Sequence, residues 1–480
     1  MSESWMRAAN YINGVWAPAA SGQTFAVLDP GNGEIIGHVP DSGADDTIAA
    51  IAAAEKALPA WRARPAAARA QLLRRLFERM MDNVEPLARL LSRENGKPLA
   101  EARGEVRYGA SFIEWFAAEA RRVYGDQIPA STPDKRLQVS YEPVGVCALI
   151  TQWNFPNAMI TRKLGPALAA GCTVVIKPAE DTPFSTLAVA ALCEAVGIPA
   201  GVVNVVCTNR PATVGQALCE SPAVRKLSFT GSTEVGRTLM AQCAPTLKRL
   251  SLELGGSSPF IVFDDADLDK AAEGAIASKY RNNGQSCVAS NRFIVHEDVC
   301  EAFAERVAAR SRSLVVGYGL DAGSEIGPLI NDAGKAKVAR LVHDAITQGA
   351  VVHVGGAPAD GAGLFWPPTV LSGIGPEMDI WSTEIFGPVL AIRTFTDEAE
   401  AIEMANETPF GLASYCYTEN LSRSWRVREA LDFGMVGINT GMISTAQAPF
   451  GGIKQSGMGR EGSRYGILEY LQMKYTCIGV

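Results

Sequence analysis

The chain has 480 residues, 47% hydrophobic and 20% charged, a globular composition long enough for two or three domains. Its net charge of −7 argues against a non-specific nucleic-acid binder, which carries a basic face, while leaving room for a local basic pocket. There is no bilayer-length apolar run, no leader-like N-terminus and no C-x-x-C pair among ten cysteines, so neither a membrane anchor nor a metal centre is expected, and a reducing, cytoplasmic setting is.

From Asp45 to about Tyr124 the pattern is helical. Leu72, Leu73, Leu76, Phe77, Met80 and Met81 recur at the spacing of one buried face, and Pro65 and Pro98 fall where helices would begin. From Val144 short β-rich runs at 144–150, 173–176, 202–206 and 226–229 alternate with helical runs near 158–169, 182–195 and 212–220. Such alternation predicts parallel βαβ units in a doubly wound sheet. A second series runs from 259–263 through 351–354 and 389–395 to 436–439, which predicts a second α/β domain. Residues 137–142 and 471–478 read as sheet additions outside both.

Two segments carry chemistry. Asn282-Asn283-Gly284-Gln285-Ser286-Cys287 presents a cysteine just after a glycine turn, at the end of an amphipathic stretch from Asp267 to Arg281. A thiol needs help to become a nucleophile, because the thiolate is the reactive form. Leu252-Glu253-Leu254-Gly255-Gly256 offers a carboxylate for that purpose. Phe229-Thr230-Gly231-Ser232-Thr233-Glu234-Val235-Gly236 links a predicted strand to a predicted helix, where a glycine and a helix N-terminus suit a pyrophosphate. Its G-x-x-x-x-G spacing alone fits a tight turn equally well. The four histidines lie outside every motif, which disfavours Cys–His and Ser–His hydrolases and a histidine zinc site.

In this order, these segments resemble the catalytic core of the aldehyde dehydrogenase superfamily, with succinate-semialdehyde dehydrogenases the nearest group. Long blocks carry the likeness, from Trp153-Asn154-Phe155-Pro156 through Arg162-Lys163, and from Pro449-Phe450-Gly451-Gly452 through Arg460-Glu461-Gly462. The resemblance implies a Rossmann-like cofactor domain (1–124 and 145–255), an α/β catalytic domain (256–446) and β oligomerisation strands (125–144 and 465–480). It implies a homodimer or homotetramer.

The resemblance also assigns roles. Cys287 attacks the aldehyde and Asn154 shares the oxyanion with the backbone N–H of Cys287. Hydride passes to the nicotinamide, and Glu253 activates the water that hydrolyses the thioester. Lys163 and Glu461 relay the proton outward. Trp153, Gly231, Ser232, Gly236, Glu384 and Phe386 belong to the cofactor site, with Lys177 and Glu180 on the adenosine ribose. A carboxylate there accepts from a 2′-hydroxyl and repels a 2′-phosphate, which favours NAD over NADP. Arg162, Arg281 and Ser444 match the group's contacts to a substrate carboxylate, which arginine binds bidentately. No metal is required.

Two departures are visible. Gln152 precedes Trp153 where the family usually has proline, and Ala289 stands where some members carry a second, disulfide-forming cysteine. Glutarate semialdehyde and a broad aldehyde range remain alternatives. A CoA-acylating enzyme is disfavoured by Glu253, and a non-catalytic scaffold by retention of Cys287, Glu253, Asn154 and Lys177.

Overall fold

The computed structural model describes residues 5–359 and 363–480. Two small hairpins come first, Asn10–Ile12 with Val15–Ala17 and Thr24–Leu28 with Ile35–Pro40. Helices Ala44–Ala63, Ala66–Asp82, Val84–Asn95 and Leu99–Glu119 follow. Pro65 and Pro98 stand immediately before the second and fourth. Leu72, Leu73, Leu76 and Met80 are buried as expected, whereas Met81 is 38% exposed. One residue past Met80 it is turned about 100° around the helix, off the apolar stripe.

The first large sheet has eight strands. Val203–Val205, Thr173–Lys177, Val146–Ile150, Val224–Thr230 and Arg249–Glu253 lie side by side and parallel. All residues of Val146–Ile150 and Thr173–Lys177 are buried, as suits parallel strands covered by helices on both faces. The earliest of these strands lies in the middle, two successors to one side and two to the other. Such a reversal opens a crevice outside the carboxyl ends of the strands. Antiparallel strands finish both edges, Asn10–Ile12 with Val15–Ala17 at one and Gly457–Met458 at the other.

The second sheet has seven strands, ordered Val351–Val354, Thr369–Ser372, Val389–Phe395, Ser290–His296, Ser258–Val262, Ala413–Tyr417, Met435–Ile438. All pairs are parallel except the first, an antiparallel edge. A separate antiparallel sheet joins Leu471–Gly479 to Lys135–Pro143 and Asp126–Ile128.

The connection between the large sheets decides where chemistry can occur. Glu253 ends its strand, and only Leu254-Gly255-Gly256-Ser257 separate it from Ser258, the first residue of the next. Carboxyl ends of the first sheet therefore confront amino ends of the second. Ser258 pairs in register with Ser290, and Cys287 lies just before that strand. The two glycines permit this approach. A Cβ on Gly256 would sit 2.9 Å from the Cys287 carbonyl oxygen, and one on Gly255 2.9 Å from Glu384 Oε2.

Candidate active site

The loop that carries Cys287 is shaped by its own asparagines and glutamine. Helix Leu268–Tyr280 ends at Arg281, and Asn282 and Asn283 take left-handed φ values of 51° and 55°. Asparagine visits that region more readily than most residues. Asn282 Nδ2 donates to the Asn154 carbonyl at 2.8 Å, Asn283 Nδ2 to Gly327 O at 2.8 Å, and Gln285 Oε1 accepts from Ile330 N at 2.9 Å. Asn154 Nδ2 donates to Gln285 O at 3.0 Å, so the two loops hold each other.

Cys287 and Glu253 line one cleft together with Trp153, Gly231, Ser232, Glu384 and Phe386. Burial pushes the Cys287 thiol up to about 12, partly countered by the Arg162 cation. Burial and then repulsion from Glu461 hold the Glu253 carboxyl well above the usual range, against the pull of Arg162 and Lys163. Glu253 Oε2 is buried without a hydrogen-bond partner. Burial thus disfavours the charged form of both groups, which lie close to the same space.

Lys163 and Glu461 are brought together at 2.6 Å, and Lys163 Nζ also meets Ser228 Oγ at 3.0 Å. Arg162 is drawn to the same carboxylate, with Nη2 2.7 Å from Glu461 Oε2 and its guanidinium over the Phe450 ring at 3.9 Å. The angles of that contact leave Arg162 Nε and Nη2 without hydrogen-bond acceptors. Burial raises Glu461, but Lys163 and Arg162 outweigh it and hold the carboxyl below its ordinary value.

A groove adjoins the cleft through Trp153, Gly231 and Ser232 and is lined by Lys177 and Glu180, which pair at 2.8 Å. Helix Thr233–Cys243 points its N-terminus here, capped by Ser232 Oγ accepting from Val235 N. Thr230 Oγ1, on the lining of both cavities, is buried with no partner. Glu384 accepts from Gly256 N at 3.1 Å, and burial raises it to about 7. Trp153 and Phe386 meet edge to face at 5.5 Å. A dinucleotide fits these features: free helix N–H groups for phosphates, carboxylates for ribose hydroxyls and an unsatisfied hydroxyl between them. Gly236 lies within that helix packed on Leu254, not on the lining.

Arg281 and Ser444 line a separate cavity with Tyr108, Phe155, Glu101 and Met442. The Arg281 guanidinium lies 4.6 Å from the Phe155 ring centroid and 5.8 Å from that of Tyr108. It has no ion-pair partner within 4.0 Å among the described residues, unlike Arg162. Arg162 and Arg281, alike in sequence, are therefore held very differently.

Sequence reading missed Lys337, which lines the cleft and donates to the Glu384 carbonyl at 3.1 Å. It also missed the buried Lys97 and Glu105 and the half-buried Glu101 around the Asn154 and Cys287 loops. None belongs to a compact motif. No group of three or more His, Cys, Asp or Glu side chains arranged to hold a metal ion occurs among the described residues.

Residues 16–476 match the model of the aldehyde dehydrogenase family. The chain is 57% identical to a glutarate-semialdehyde dehydrogenase of Pseudomonas putida, covering 98% of this chain and 97% of that one. It is 56% identical to a succinate-semialdehyde dehydrogenase [NADP(+)] of Escherichia coli, with the same coverage of 98% and 97%. The crystal structure of a succinate-semialdehyde dehydrogenase from Burkholderia pseudomallei superposes with a TM-score of 0.98 at 55% identity, covering 99% of each chain.

Proposed function

The chain belongs to the aldehyde dehydrogenase family and is an aldehyde-oxidising enzyme, and on that premise we propose that it converts succinate semialdehyde to succinate with NAD preferred over NADP. One observation carries the substrate class. Arg281, with no ion-pair partner within 4.0 Å among the described residues, and Ser444 face one cavity beside the loop that bears Cys287. That pair suits an aldehyde whose far end is a carboxylate.

In this reading Cys287 Sγ bonds to the aldehyde carbon and Glu253 takes the thiol proton. Asn154 Nδ2, with one hydrogen left beyond its bond to Gln285 O, and the Cys287 backbone N–H hold the oxyanion. NAD supplies the hydride acceptor when bound, with Lys177, Glu180, Gly231, Ser232, Glu384 and Phe386 to hold it. After the substrate carbon has lost its hydride, a thioester remains on Cys287. Glu253 then removes a proton from the attacking water, and succinate leaves as the thiol is restored. Lys163 and Glu461 carry the proton onward from Glu253.

The preference for NAD rests on Glu180, whose charge opposes a 2′-phosphate. The Escherichia coli relative is named for NADP(+), so this choice needs its own measurement. Glutarate semialdehyde, one methylene longer, is the second reading, favoured by the name of the Pseudomonas putida relative. We assign residues 1–124 and 145–255 to the cofactor domain, 256–446 to the catalytic domain, and 125–144 and 465–480 to subunit association. The exposed Met473, Tyr475 and Ile478 on the last strand support a homodimer or homotetramer. Ten unpaired cysteines support a reducing, cytoplasmic setting.

The test is NADH or NADPH formation with succinic semialdehyde, glutaric semialdehyde and butanal. Much higher kcat/KM on the carboxylated aldehydes is expected, with NAD ahead of NADP. Equal kcat/KM on butanal would overturn the substrate class. Turnover only in the presence of CoA would point to acyl transfer instead.

A further inference from the structure

We infer that Lys97, together with Glu105, is a positioning residue for the oxyanion donor Asn154, an inference that rests on the reading of Asn154 given above. Lys97 follows the glycine that ends helix Val84–Asn95 and precedes Pro98 at the start of helix Leu99–Glu119. Its ammonium is buried and held by two hydrogen bonds and a ring. One hydrogen bond goes to Glu105 Oε2 and one to the Asn154 carbonyl at 2.8 Å, while the charge lies 4.0 Å from the Phe155 ring centroid. Burying an ammonium is costly unless it is paired in this way, so the site is built around it.

The other half of the pair faces the same loop. Glu105 Oε1 accepts from Asn157 N at 2.9 Å and Ala158 N at 3.2 Å, the first amides of helix Pro156–Ala170. Lys97 and Glu105 therefore grip the Asn154–Ala158 segment at both ends. The Asn154 carbonyl also accepts from Asn282 Nδ2 at 2.8 Å, so both its lone pairs are taken. With the backbone of Asn154 fixed and its Nδ2 bound to Gln285 O, the second Nδ2 hydrogen has one direction left. Asn154 Oδ1, buried and without a partner, contributes nothing to that orientation.

The function follows from preorganisation. A donor aimed where charge develops stabilises the transition state only if it need not be reoriented, and small misplacement of such a group is expensive. Lys97 is absent from the lining of the Cys287 cleft and of the cofactor groove. Lys97 and Glu105 do border the Arg281 cavity, but their hydrogen bonds run to the Asn154–Ala158 segment, so their effect passes through Asn154.

The test is a double-mutant cycle on the full-length enzyme. Lys97→Met and Glu105→Gln are combined, which removes both buried charges together and avoids leaving one unpaired. Single-turnover NADH formation from succinic semialdehyde should fall roughly tenfold or more, while iodoacetamide alkylation of Cys287 stays within about twofold. Added to Asn154→Ala, the same pair should cause no further loss. An unchanged NADH rate, an equal fall in alkylation, or losses that multiply with Asn154→Ala would each overturn the inference. Full activity of Asn154→Ala alone would instead remove the oxyanion reading on which it rests. If circular dichroism shows the paired variant unfolded, Lys97→Arg replaces it and the same selective loss is expected. Arginine keeps the charge, but its planar fork cannot reproduce the contacts to Asn154 O and the Phe155 ring together.

Discussion

Lys163 and Glu461 lie 298 positions apart in the chain and meet at 2.6 Å in its interior. With Arg162 at 2.7 Å from the other carboxylate oxygen, two cations surround one carboxylate. Glu253 is the second carboxyl in this neighbourhood, and the division of charge is unequal. Glu461 is held ionised by its two partners, whereas Glu253, repelled by Glu461, keeps its proton more tightly.

Glu461→Gln should therefore change two things. It removes the neighbour that raises Glu253, so the acid limb of the kcat–pH profile should move to lower pH, because the base is lost only as pH falls through its own pKa. It also leaves Lys163 and Arg162 buried without an anion, which should cost about 3–5 kcal/mol in urea unfolding. A depressed carboxyl stabilises above the ordinary carboxylate range and stops doing so as pH falls through the depressed value. The wild-type enzyme should show that acid-side loss and the variant should lack it.

Because burial holds the Cys287 thiol at about 12, alkylation of the cofactor-free protein by iodoacetamide should rise about tenfold per pH unit from pH 7 to 10. A plateau below pH 8 would show a thiolate already formed.

Arg281→Ala should lower kcat/KM for succinic semialdehyde roughly 10- to 100-fold, the worth of a hydrogen bond to a charged group, and leave butanal unchanged. Arg162→Ala should depress both substrates and stability, since its guanidinium serves Glu461. Parallel kinetics of the two variants settle whether the arginines divide the work this way.

Glu180→Ala should raise kcat/KM for NADP and lower that for NAD, each about tenfold, by removing both the acceptor and the repulsion. Unchanged cofactor ratios would place discrimination elsewhere in the groove.

The legible parts of this molecule were those written in consecutive residues. The Cys287 turn, the Gly255-Gly256 pair and the strands buried on both faces each combine several local signals. Three- and four-residue strands such as Asn10–Ile12 and Thr369–Ser372 carry too little periodicity and owe their form to distant partners. Residue chemistry likewise does not say which arginine finds a carboxylate. Arg162 and Arg281 look equivalent until folding buries one against Glu461 and leaves the other between two rings. Lys97 and Glu105 escaped notice for the same reason, since a lysine before the helix and a glutamate within it, eight residues on, match no helical pair spacing.

The strand of Glu253 receives its outer neighbour, Gly457–Met458, from far along the chain, and one edge of Lys135–Pro143 waits for Leu471–Gly479. During synthesis, both edges stay open until those distant strands have left the ribosome. Glu461, which lies between them in sequence, reaches the pocket of Glu253 no earlier. A chain terminated before Glu461, however complete its cysteine loop, lacks this charge cluster, so the surroundings of the thiol are completed long after the thiol itself has been made.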